Sequence, residues 1–456
     1  MLSKTELRLH VGGIGMLTDG TINGFCMHLL VSTGSEARSQ VFQLNISGNL
    51  SHFFIPNLKN CFANPLLQCP GAPFVAPFGH RHRPDRARAI CYRDWRTIQS
   101  EGTASMEGTA QELTRTPLFN PDGDTEVRDR RMIGGNTTNL NDFNNMKYPW
   151  VSDWYRQAMN NFWIPEEINL MQDVKDYPNL TEPERVAYDK ILSFLVFLDS
   201  LQTANLPNVG EYITANEVNL CLHIQTFQEC VHSQSYSYML DTICSPEKRN
   251  EILYQWKTDK HLLRRNEFIG NLYNEFMDKK DAPTLLRVMM ANFILEGVYF
   301  YSGFMFFYNL ARNGKMPGSA QEIRYINRDE NTHLWLFRSM ILELQKEEPE
   351  LFGPEAVADL RAMLEEGVRQ EIAWGRYVIG DKIGGLTGDM VESYIKYLGN
   401  LRWRSLGFGR LYEGYDSEPA DMAWVSQYSN ANMVKTDFFE AKSTAYAKST
   451  ALVDDL

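Results

Sequence analysis

The sequence predicts an all-α chain, a bundle of long helices. Two observations carry this. Six helical segments follow one another between about residues 181 and 380, separated by recognisable start and stop signals. Strand signals in this part of the chain are scarce, and with 43% apolar residues a sizeable core can be buried.

The segments can be justified in order. Thr181-x-x-Glu184, with Pro183 between, is a capping box that opens a helix running through Asp199 to about Asn205. A second helix spans about Ala215 to Cys244 and stops before Pro246. A third, more charged, occupies about 250–279. The fourth starts near Asp281 and Pro283 and ends at Asn313-Gly314, a good C-terminal stop. Ser319-x-x-Glu322 reads as another capping box, opening a fifth helix that ends by Pro349. A sixth covers about 354–380, and after about residue 425 the pattern dissolves into a tail.

Within the fourth helix, Ala291 to Ala311 is a run of 21 residues with Glu296 as its single charge. That length fits a bilayer. A lone central Glu is costly in lipid, however, and the neighbouring helices are charged and amphipathic. A helix buried on all sides in the bundle is the reading taken.

Residues 1–115 differ from the rest. They hold four of the seven Cys and five of the nine His, and their eleven Lys/Arg against eight Asp/Glu give +3, leaving −15 for the remainder of a chain with net charge −12. No sustained helical period appears there, and Cys26, Cys61, Cys69 and Cys91 lack metal-site spacing. The region reads as an irregular N-terminal extension of unassigned role, either a regulatory domain or a poorly ordered segment. The bundle is assigned to 116–430 and a flexible tail to 431–456. The acidic balance argues against a general nucleic-acid binder. No Cys-x-x-Cys pair and no secretory signal are present, which suits a reducing cytoplasm.

Chemistry concentrates in two matching stretches. Phe-Gln-Glu-Cys-Val-His carries Glu229 and His232, and Arg-Asp-Glu-Asn-Thr-His carries Glu330 and His333. About thirty residues before each lies one more acid in apolar surroundings, Asp199 and Glu296. On a helix, residues three apart share a face, about 4.5 Å apart along the axis. Each Glu-x-x-His therefore offers an oxygen and a nitrogen to one point. Two such helices and two further acids bracket two metal ions, as in ferritin-like dimetal carboxylate proteins. A single Glu-x-x-His is a weak signal, but two acids in apolar helices both need partners. Oxygen and imidazole donors suit iron and manganese. Tyr236 lies one turn after His232 on the same face; spacing alone leaves it either beside the metals or an ordinary core tyrosine. His223 and His261 read as structural.

With these residues in place, the chain resembles the small, radical-generating subunit of class I ribonucleotide reductase over about residues 117 to 456. The resemblance rests on Leu198-Asp199-Ser200-Leu201-Gln202, Glu229-Cys-Val-His232-Ser-Gln-Ser-Tyr236, Leu295-Glu296, Arg328-Asp329-Glu330-x-x-His333 and Asn161-Phe162-Trp163-Ile-Pro-Glu-Glu. It implies a ferritin-like bundle with a dinuclear centre of two irons, manganese with iron, or two manganese ions. The implied ligands are Asp199, Glu229, His232, Glu296, Glu330 and His333. Tyr236 matches the family's radical tyrosine, and Phe300 and Phe304 match apolar residues that wall it off. Trp163, Asp329 and His232 match the start of a radical-transfer route, which Tyr446 in the tail continues to the large subunit. The implied activity is ribonucleoside-diphosphate reduction, carried out only with that large subunit, which the tail docks. The resemblance also implies a cytoplasmic homodimer with neither a membrane nor a nucleic-acid partner. It leaves open whether Tyr236 or the metal pair stores the oxidant. An oxidase of the same architecture that binds a ligand, or a ferritin-like iron store, would keep the six ligands but have no use for Trp163 and Tyr446.

Overall fold

The structure, a computed structural model, describes the backbone of residues 6–12, 26–33 and 36–37, and residues 112–429 in full. Two units are separable, and the N-terminal strands belong to the first. There β1 (Glu6–Gly12) pairs antiparallel with β2 (Cys26–Thr33), with Leu9 opposite Leu29, and β2 pairs with the short β3 (Glu36–Ala37). These short strands lie within the region read as an irregular extension. The alternation Leu7, Leu9, Val11 against Arg8 and His10 is a period-two signal, short but consistent with β1. Cys61, Cys69, Cys91, the basic run 79–88, Tyr446 and the tail beyond residue 429 lie outside the described residues.

The second unit is helical. Its elements are α1 (Trp150–Asn160), α2 (Met171–Asp176), α3 (Glu182–Gly210), α4 (Asn216–Ile243), α5 (Pro246–Tyr254), α6 (Lys260–Lys279) and α7 (Ala282–Ile294). A π-helical turn (Leu295–Tyr299) leads into α8 (Tyr301–Arg312). Then come α9 (Pro317–Glu347), α10 (Pro354–Val378), α11 (Gly388–Ser405) and α12 (Trp424–Ser429). Along their lengths α3 packs on α4 and α10 on α11, while α9 lies against α4, α7 and α8.

The Thr181 capping box forms as read: the amide of Thr181 donates to Glu184 at 2.9 Å, and the amide of Glu184 to the Thr181 hydroxyl at 3.4 Å. The second box does not form. α9 starts three residues earlier, behind Met316 in the left-handed conformation (φ 52°). Its first amides, Gly318 and Ser319, donate to the carboxylate of Asp173 on α2 at 2.9 and 2.6 Å. A carboxylate brought from another helix displaces the local cap. The third segment is two helices, α5 and α6, because Ser245 and Asp259 each cap a separate start.

The run 291–311 is buried almost throughout, as a bundle helix should be. Among the described residues no helix is long and apolar enough to cross a membrane. The π-helical turn within that run is absent from the sequence reading, because a one-residue wide turn barely disturbs a pattern that is apolar on every face.

Candidate metal centre

Four helical segments converge on one buried pocket. α3 brings Asp199, α4 brings Glu229 and His232, the π-helical turn brings Glu296, and α9 brings Glu330 and His333. All six are at most 1% exposed. They form two overlapping groups: Asp199, Glu229, His232 and Glu330 in one, Glu229, Glu296, Glu330 and His333 in the other. Within each group the ligand atoms lie within 4.8 Å of one another. Glu229 and Glu330 are common to both, the position a bridging carboxylate takes between two cations.

Both imidazoles are oriented from behind. Nε2 of His232 donates to Oδ2 of Asp329 at 3.3 Å, and its Nδ1 faces the pocket, 3.4 Å from Glu229 and 3.3 Å from Glu330. Nε2 of His333 donates to Oε1 of Gln228 at 3.0 Å, and its Nδ1 lies 2.6 Å from Glu330 and 3.2 Å from Glu229. With Nε2 of each ring held from behind, Nδ1 is the nitrogen that faces the pocket and that a metal ion would take in place of its proton. Glu296 is fixed differently. Its Oε1 accepts from Gln202 at 2.7 Å and Gln225 at 3.2 Å, and Gln202 also donates to Asn292 at 2.7 Å. Gln228 and Gln225 went unrecognised in the sequence. One flanks Glu229 and the other precedes it by one turn, but nothing in their type or spacing marks them as ligand supports.

Five atoms in the pocket have no hydrogen-bond partner: Oδ1 of Asp199, Oε2 of Glu229, Nδ1 of His232, Oε2 of Glu296 and Oε1 of Glu330. Orphaned buried acceptors are rare and cost about 1–3 kcal/mol each. Their convergence is what two divalent cations with oxygen and imidazole donors require, so the residues present fit a dinuclear centre.

The electrostatics agree. Burial, with the neighbouring Glu229 and Glu330, pushes the carboxyl of Asp199 well above the ordinary range, and burial with the same two acids does so for Glu296. Burial opposes protonation of the imidazoles. It is outweighed by Glu330, Asp329 and Glu229 at His232 and by Glu229, Glu330 and Glu296 at His333, so both are raised well above 6.5. Glu330, despite its burial, is held below the carboxylate range by the two imidazoles. Without cations the pocket holds protons, which bound metal must displace.

Tyr236 is fully buried, and its hydroxyl donates to Oδ2 of Asp199 at 2.7 Å. On the other side, Oδ2 of Asp329 accepts both from His232 and from the indole Nε1 of Trp163, the latter at 2.8 Å. His232, Asp329 and Trp163 therefore form a continuous hydrogen-bonded chain leading away from the pocket. Arg328 Nη2 donates to the other oxygen of Asp329 at 3.1 Å, and the two positive neighbours with the indole N–H keep that buried carboxylate ionised. Phe300, which joins the π-helical turn to α8, and Phe304 on α8 are buried with ring centroids 5.9 Å apart.

Comparison with known proteins agrees with this geometry. The family model "Ribonucleotide reductase, small chain" matches residues 140–419. The ribonucleoside-diphosphate reductase subunit beta of Treponema pallidum is 74% identical over 344 residues, which is 75% of this chain and 98% of that protein. Among solved structures, the ribonucleotide reductase R2 subunit from Clostridium botulinum superposes with a TM-score of 0.68 at 50% identity, covering 70% of this chain and 99% of that one. The dimanganese(II)-NrdF of Streptococcus sanguinis, at 22% identity and a TM-score of 0.53, shares the fold, with 64% of this chain and 98% of that one covered. With its family model matched across the helical unit and its dinuclear carboxylate–histidine pocket in place, the chain belongs to the ribonucleotide reductase small-chain family.

Proposed function

We propose that this chain generates and stores an oxidising equivalent for ribonucleotide reduction and passes it to a separate large subunit. The observation that carries this reading is the contact of Tyr236 with Asp199, itself one of six side chains that can hold two metal ions. Asp199, Glu229, His232, Glu296, Glu330 and His333 are the proposed ligands. When bound, a pair of iron or manganese ions supplies, with an oxygen species, an oxidant strong enough to take an electron from a phenol. The residues themselves do the rest. Asp199 Oδ2 accepts the hydrogen bond of the Tyr236 hydroxyl and is placed to take its proton on oxidation, and complete burial keeps water from the ring. Asp329 ties His232 to Trp163, a hydrogen-bonded route for the equivalent to leave the pocket. Tyr446, in the tail, is the proposed next carrier, and residues 431–456 the proposed docking segment for the large subunit. The helical body at 116–430 works as a cytoplasmic homodimer, and residues 1–115 are an N-terminal extension of unassigned role. An iron store would have no use for the Trp163–Asp329–His232 chain.

The reading is tested with the large subunit present. The full chain plus the large subunit should reduce ribonucleoside diphosphates, and neither alone should. A chain ending at residue 435 should keep its metals yet lose both large-subunit binding and nucleotide reduction. Retention of both activities in the truncated chain contradicts the tail assignment.

A further inference from the structure

Five of the six proposed ligands sit on regular α-helix, and Glu296 alone sits on the π-helical turn. A π-helical turn bonds from residue i to i+5, so carbonyls at its ends lose the amide that an α-helix would give them. Buried in a core, such carbonyls need other donors.

Two arginines, each 2% exposed, supply them. Nε of Arg402 on α11 donates to the carbonyl of Gly297 at 3.1 Å, and Nη2 of Arg265 on α6 donates to that of Tyr299 at 2.9 Å. The two differ in one respect. Arg265 is ion-paired with the buried Glu371 at 2.5 Å. Arg402 has no carboxylate within ion-pair distance among the described residues, and its second donor, Nη2, goes to the hydroxyl of Tyr301 at 2.9 Å. That hydroxyl in turn donates at 3.2 Å to Asn331, the residue after Glu330. Burying a guanidinium without a carboxylate is unfavourable unless its hydrogen bonds achieve something else. Here both lead to the backbone or the neighbour of a proposed metal ligand. Gly297 fits the same picture. A Cβ there would stand 3.1 Å from Arg402 Nε and 2.8 Å from the Leu334 side chain, beside His333. The absent side chain is what lets the guanidinium reach the turn.

We propose that Arg402 is a positioning residue for Glu296. By holding the Gly297 carbonyl it fixes the π-helical turn, and with it the carboxylate one residue earlier. It therefore sets the half of the centre formed by Glu229, Glu296, Glu330 and His333, and leaves the Asp199–His232 half alone. This role rests on the dinuclear reading above.

The test is a two-site manganese(II) titration of the full chain, with free metal followed by electron paramagnetic resonance. The wild type should bind two ions. Arg402→Met should bind the first ion as the wild type does and the second about ten- to a hundredfold more weakly, the range typical for losing a ligand's supporting contact. Arg402→Lys keeps one donor for the Gly297 carbonyl and should recover part of the second affinity. Equal weakening of both sites, or two wild-type affinities in Arg402→Met, overturns the role. If Arg402→Met fails to fold, Gly297→Ala decides: it should weaken the second ion selectively, and wild-type binding in that variant refutes the proposal. A wild type that binds fewer than two ions removes the dinuclear reading itself, a result distinct from unaltered variants on a two-ion wild type.

Discussion

The hydroxyl of Tyr236 and the carboxylate of Asp199 are 2.7 Å apart at the wall of a pocket lined by four acids and two imidazoles. The pair joins helices α3 and α4 at complete burial. It places an oxidisable phenol in direct contact with a proposed metal ligand, and gives its proton a defined acceptor. Tyr236→Phe should therefore leave two metal ions bound and abolish any tyrosyl signal in the activated protein. The lost hydrogen bond should cost about 1–2 kcal/mol of stability in the metal-free chain. Full nucleotide reduction by this variant, with an oxidised metal signal, would move the stored equivalent from the tyrosine to the metals.

Glu330 belongs to both ligand groups, whereas Asp199 belongs to one. Glu330→Ala should abolish binding of both ions at micromolar metal, and Asp199→Ala should weaken chiefly one. Helix content, read by circular dichroism, should stay close to that of the wild type in both variants, because the surrounding core is apolar. Global unfolding of Glu330→Ala would mean that the acid is structural first.

Trp163 is linked to the centre by its hydrogen bond to Asp329, which also holds His232. Trp163→Phe keeps an aromatic ring and deletes the indole donor. Metal stoichiometry and the tyrosyl signal should be unchanged, while nucleotide reduction with the large subunit falls by at least about a hundredfold, as expected when an obligatory relay member is removed. Unimpaired turnover would exclude this indole from the route.

A pH effect is expected away from the metals. Glu347, near the end of α9, accepts from the amide of Met132 at 2.8 Å, the hydroxyl of Tyr148 at 2.8 Å and the ammonium of Lys147 at 2.7 Å. Partial burial works against its ionisation, but these donors outweigh it and hold the carboxyl below its ordinary value of 4.5. A depressed folded-state pKa adds stability that is present above the unfolded value and lost as pH falls through the folded one. Glu347→Gln should thus be destabilised by about 1–3 kcal/mol near neutral pH. The gap should close as pH falls below 4.5 and through the depressed folded-state value, where the wild-type carboxyl takes up its proton. Urea denaturation of metal-free protein at pH 7 and at successively lower pH measures both; a pH-independent gap contradicts the assignment.

Much of the site was legible because its chemistry is local. Glu-x-x-His is a one-turn pattern, and Asp199 and Glu296 stand out as acids among apolar neighbours. Within each Glu-x-x-His, helical geometry alone brings the two donors to one point. What stayed hidden depends on contacts between distant segments. Asp173 caps α9 from 145 residues away, which no pattern around Ser319 reveals. Gln225, Gln228 and Arg402 acquire their roles only once α4, α9 and α11 are side by side. The π-helical turn is silent for a related reason: the whole run around Glu296 is apolar, so no face is left to show a change of period. In the N-terminal strands the signal was present, as alternation over seven residues in β1, but short.

Anomalous diffraction from crystals of the manganese- or iron-loaded protein tests the central claim most directly. Two peaks per chain are expected, one beside Asp199 and Nδ1 of His232, the other beside Glu296 and Nδ1 of His333, with Glu229 and Glu330 lying between them. A single peak, or two peaks that leave either shared glutamate outside the coordination, would contradict the dinuclear centre described here.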